Sequence, residues 1–105
     1  MDSNRLLMQL EQTRKEINRE IINPEIKTLS LSDLEPVVRM VAHARAAYIE
    51  ELFRLAAETG GKQAPDNIAV LHGLREKYEE LVTAANAMET MIKRGYVDVS
   101  GRLEK

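Results

Sequence analysis

Between a capping pair and a double glycine, the chain carries one long amphipathic segment, Ser32 to Thr59. Placed at about 100° per residue, its apolar side chains fall on one half of a helical wheel and its charged ones on the other. The apolar half runs from Leu34 and Val37 through Val41, Tyr48 and Leu52 to Leu55 and Ala56. Arg39, His43, Glu50, Arg54 and Glu58 take the polar half. Ser32 and Glu35 have the spacing of a capping box, with Leu31 ahead of it as a staple residue and Pro36 in the first turn. Gly60-Gly61 provides the left-handed residue that ends a helix. Glu50 and Arg54 stand in the favourable order for an ion pair one turn apart. An apolar arc this wide requires cover on more than one side, which marks a central helix.

One residue breaks the arc. Arg45 lies between Val38, Val41, Leu52 and Ala56, among small residues that let a neighbouring helix approach. A buried guanidinium needs a partner, because an isolated charge costs several kcal/mol. Two arrangements satisfy it. The stem lies on apolar surface with the charge lifted to solvent, or a carboxylate from another helix or subunit pairs with it.

Two further helices flank this one. Residues 3–23 carry a thin stripe, Leu7, Leu10, Ile17 and Ile21, with Arg14 at its middle position. Asp2 or Ser3 caps it, Asn23-Pro24 ends it, and Glu11 is placed to pair with Lys15. A polar residue inside such a stripe marks a half-exposed outer helix or a seam whose register it sets. Residues 66–94 begin at Asp66 as N-cap and hold a strict 3–4 alternation, Leu71, Leu74, Tyr78, Leu81, Ala85, Met88 and Ile92. That spacing suits coiled-coil-like packing. Gly95 stops this helix, with Tyr96 folding back on Met91. The connection PEIKTLSL reads as a strap, GGKQAP as a turn between antiparallel neighbours, and 96–105 as a frayed tail. The predicted fold is all-α, a three-helix antiparallel bundle over 1–95, with a helical homodimer joined through the first helix as the alternative.

Site chemistry is sparse. Without cysteine there is no disulfide, thiolate ligand or thiol nucleophile, and a reducing cytoplasm is the expected location. His43 and His72 lack the Glu-x-x-His spacing of helical metal sites, since Met40 and Ala69 occupy the glutamate positions. Glu50-Glu51 and Glu79-Glu80 are adjacent on helices, so their carboxylates diverge by about 100° and form no acid–base dyad. No glycine-rich phosphate loop is present. The expectation is no catalysis, no cofactor and no metal. A net charge of −2 with interspersed signs gives no footprint for nucleic acid or an anionic membrane. The chain is therefore expected to work as a soluble protein–protein interaction module, an adaptor, accessory subunit or regulator, whose partner is another protein or itself. The alternative is a helical binding domain holding a small anion in a mid-bundle arginine layer. Arg14, Arg45 and Tyr78 are the candidate residues for either role.

Overall fold

The structure, a computed structural model, describes residues 2–100. It is a three-helix antiparallel bundle, all-α and without a sheet among those residues: α1 is Ser3–Ile22, α2 is Leu31–Thr59 and α3 is Ala69–Lys93. No helix is long and apolar enough to cross a membrane among the described residues. The chain divides into two compact units, one of residues 2–34 with 87–100 and the other Glu35–Asn86.

In the first unit, α1 begins as predicted, the Asp2 carboxylate accepting the Arg5 N–H at 2.8 Å. The strap that follows α1 is held by residues 98–100. Leu29 donates its N–H to the Asp98 carbonyl (3.0 Å) and accepts from the Ser100 N–H (2.7 Å), so that Leu29 and Val99 form a short parallel bridge. Pinning Leu29 in extended backbone moves the start of α2. The capping side chain is Asp33, which accepts the Ser30 N–H at 2.9 Å, while the Asp33 N–H bonds the Ser30 carbonyl at 3.0 Å. The expected pair, Ser32 and Glu35, lies already inside the helix, as do Leu31 and Pro36. Pro36 thus sits beyond the first turn, where it has no N–H for the carbonyl four residues earlier.

Helix α3 ends as its sequence predicts. Gly95 adopts φ +72°, the Tyr96 N–H reaches the Met91 carbonyl (3.0 Å) and the Gly95 N–H reaches that of Ile92 (3.1 Å). These are the two bonds of a Schellman motif, and only glycine takes its left-handed position without strain. The turn sends the chain back along α1. Tyr96 and Val97 become two of the three buried apolar residues among those described. The fraying expected from residue 96 onward is therefore corrected for 96–100, and 101–105 lie outside the described residues.

Polar bonds fasten this return. Arg19 donates to the Gly95 carbonyl at 2.9 Å and pairs with the Asp98 carboxylate, which also accepts from Asn23. Asp98 is held below the ordinary carboxylate range by the Arg19 hydrogen bond first, then by Asn23. Asp33 is held low by the Ser30 N–H first, then by Lys27 at 3.1 Å. A carboxyl depressed in the folded state contributes its full stability above the ordinary range, about pH 4, and loses it as pH falls through the lower folded value. Acid is therefore expected to loosen this unit, and Asp98→Asn to shallow the acid limb. Carboxyl chemical shifts followed through an NMR titration check this. Ordinary titration of both groups would contradict it.

In the second unit, α2 and α3 run antiparallel through the Gly60-Gly61 turn. Helix α3 starts later than expected. Asn67, not Asp66, supplies the capping oxygen by accepting the Ala69 N–H at 2.9 Å, and the Ile68 carbonyl takes the first helical bond, from His72. An Asx turn of this kind holds residues 66–68 outside the helix. The less exposed positions of α2 here include a row spaced by four and three, Val37, Val41, Ala44, Tyr48, Glu51 and Leu55, with Ala47 and Thr59 beside it. They match the predicted stripe of α3, whose Leu71, Leu74, Tyr78, Leu81 and Ala85 are all half-buried. Leu55 alone is fully buried in this unit, at 3% exposure.

Candidate interaction surface

The covered row occupies only part of the apolar arc of α2. A second row, turned about 100° around the helix, consists of Val38, Ala42, Arg45, Ile49, Leu52 and Ala56. It too is spaced by four and three, and every member is exposed. Val38 is 64% exposed and Leu52 48%, while Phe53 beside them is 69% exposed. Ile68, just ahead of α3, and Leu71, Arg75, Tyr78 and Val82 of that helix form a facing row, in which Ile68 and Arg75 are exposed and the others half-buried; it shares Leu71 and Tyr78 with the covered stripe. Near the turn the two rows meet around a cavity of about 290 Å³ lined chiefly by apolar groups, among them Leu52, Leu55, Ala56, Ile68 and Leu71.

Arg45 stands in the middle of this surface and is exposed. Its Nε donates to the Tyr78 hydroxyl at 3.1 Å, and its guanidinium carbon lies 5.5 Å from the centre of the Tyr78 ring. Tyr78 in turn stacks on Tyr48, ring centres 5.9 Å apart and planes inclined by 26°. The phenol thus orients the guanidinium through one nitrogen and through its ring face. No carboxylate lies within ion-pair distance of Arg45 among the described residues. Of the three candidate residues, Arg45 and Tyr78 are in contact. Arg14 belongs to the first unit, where it is exposed and takes Glu11 at 2.5 Å.

Several charged groups on the helices pair locally. Arg54 pairs with Glu51 (2.8 Å) and Glu58 (3.2 Å) rather than with Glu50. Glu51 lies in the covered row, its side chain only 11% exposed, while Arg54 is 57% exposed to solvent. The Arg54 hydrogen bond holds Glu51 below the ordinary carboxylate range, and the same contact raises Arg54. Glu11 likewise prefers Arg14, with Arg94 at 3.6 Å, to the predicted Lys15. His72 is exposed beside Glu76 at 3.5 Å, and His43 is exposed. Among the described residues no group of three His, Asp or Glu side chains converges to hold a metal ion.

Sequence reasoning missed the Tyr48–Tyr78 stack and the Arg19–Asp98–Asn23 cluster. The first was legible as two tyrosines on predicted facing stripes. The second joins residues more than seventy positions apart and left no local signal. No protein-family model matches this sequence, and neither the curated proteins nor the solved structures contain a significant match.

Proposed function

We propose that the chain is a small cytoplasmic protein–protein interaction module, an adaptor, accessory subunit or regulator, that works through its helical surface and performs no catalysis. The observation that supports this reading is the uncovered apolar face of Glu35–Asn86, centred on Val38, Ile49, Leu52 and Phe53. Apolar side chains scattered singly need no explanation, whereas a contiguous row on one helix is the mark of a recognition surface. The same face would serve a binding partner helix in the way amphipathic grooves do, with anchors at intervals of three and four. An anion held at Arg45 remains a second reading, supported by the guanidinium that Tyr78 orients without neutralising it. A homodimer through α1 draws its support from Leu7, Leu10, Ile17 and Ile21, all exposed along one stripe.

Native mass spectrometry of the protein from its own source, at two concentrations, tests the proposal. A second polypeptide at fixed stoichiometry is expected, and Phe53→Asp, which changes an exposed residue, is expected to abolish it while leaving helical content intact. A bare monomer at both concentrations, or a complex indifferent to Phe53→Asp, would contradict the proposal. A doubled mass lost on Ile17→Asp would transfer the role to the α1 homodimer.

A further inference from the structure

The exposed apolar face carries charge of one sign only. Each of its two rows has an arginine at the centre, Arg45 on α2 and Arg75 on α3, and neither row contains a carboxylate. Both arginines are exposed and neither has a carboxylate partner among the described residues; Arg75 reaches only His72, at 3.4 Å. Four other arginines, Arg14, Arg19, Arg54 and Arg94, do take one. Arg5 and Arg39 lack one as well, but neither occupies an apolar row.

We infer that this face receives an amphipathic helix of another protein whose apolar anchors are flanked, at mid-helix, by aspartate or glutamate. The inference rests on the interaction reading above and names the chemistry of the partner. Covering the rows takes Arg45 and Arg75 out of water, and a cation removed from water without a counter-charge opposes binding strongly. The required counter-charge must come from the partner, because the rows supply none. Tyr78 takes only the Nε of Arg45, so both terminal nitrogens are without a hydrogen-bond partner among the described residues, and a guanidinium binds a carboxylate in two-point fashion. The apolar cavity between Leu52 and Ile68 takes one anchor side chain near the turn.

A second copy of this chain fits the face poorly. A two-fold contact sets like patches against each other. It therefore covers Arg45 and Arg75 with a second set of the same rows, which hold no carboxylate.

Two synthetic helical peptides test the inference on the full chain. Both carry leucines at intervals of three and four, and they differ only in having glutamates or lysines beside the central anchors. The glutamate peptide is expected to bind at least about tenfold more tightly in low salt, with the margin narrowing as salt rises. In the variant combining Arg45→Glu and Arg75→Glu the order of the two peptides is expected to reverse, and Arg45→Gln with Arg75→Gln to abolish the preference. Equal binding of both peptides to wild type would overturn the acidic-partner inference while the interaction reading stands. Binding of neither peptide would count against both. Assembly of the chain into a dimer that Phe53→Asp dissolves would replace the partner with a second copy. Capture by anionic phospholipid vesicles, lost in the charge-reversed variant, would replace it with a lipid surface.

Discussion

Replacing Leu55 by alanine is expected to cost the Glu35–Asn86 unit about 3 kcal/mol, the largest loss available from any single truncation there. Leu55 is the one fully buried apolar side chain of that unit, and it closes the covered row of α2 next to the turn. Its neighbours along the row are half-buried, so they can relax only partly into the space it leaves. Small domains retain about 5–15 kcal/mol in total, so a loss of this size removes a large share of the margin. Leu55→Asp is expected to be worse, since it adds an unpaired charge to the same position. Urea denaturation followed by circular dichroism reads the change. Phe53→Ala is the control, because a side chain so exposed should shift stability by no more than about 0.5 kcal/mol. Equal effects at Leu55 and Phe53 would show that the covered row was misassigned.

Val97→Asp is expected to detach the C-terminal return of the first unit, at a cost on the order of 3 kcal/mol. Val97 is 3% exposed, beside the buried Tyr96. An aspartate there has no arginine of its own, since Arg19 already serves Asp98 and the Gly95 carbonyl. Release of the return also frees Leu29, whose two backbone bonds to Asp98 and Ser100 set where α2 begins. Hydrogen exchange should therefore quicken at the amides of Leu29 and Ser30 as well as at Tyr96. Because Ser30 is bound by Asp33, its protection reports the cap directly. Val97→Ala, which leaves a smaller gap and no charge, should lower stability with the bridge still formed. Unchanged protection at Leu29 in the aspartate variant would mean that the strap holds without the return.

Both expectations concern residues whose local sequence looks unremarkable beside the patterns around them. Leu55 is one of many apolar residues on a broad arc, and nothing in its neighbours distinguishes it from Leu52. Val97 sits in a segment that reads as frayed. In each case burial comes from a surface supplied by another part of the chain. The helix-ending signals behave differently. The Asp2 cap and the Schellman turn at Gly95 are satisfied within a few residues, so their sequence pattern sufficed to place them. Ser32-Glu35 has the spacing of a capping box, yet the cap that forms is the equally local Ser30–Asp33 pair, directly after the Leu29 that bridges to Val99.

The candidate surface shows the same division. Arg45 was legible as an anomaly because a charge in an apolar arc violates the period of the helix, and Tyr78 because it lies in a strict 3–4 stripe. That the two meet followed from neither pattern alone. Arg14, an anomaly of the same kind, takes a carboxylate three residues away on its own helix and stays exposed.

Periodicity and glycine positions were enough to establish three helices and the stripe of α3, and local sequence placed the Asp2 cap and the Gly95 turn, since each depends on bonds and spacings a few residues long. Tertiary structure decided which of two equivalent 3–4 rows on α2 is covered, which carboxylate Arg19 takes, and where residues 96–100 dock. A helix offers every side of its apolar arc equally. Only the approach of another segment, removing water from one row and leaving it on the next, distinguishes a core from a surface available to a partner.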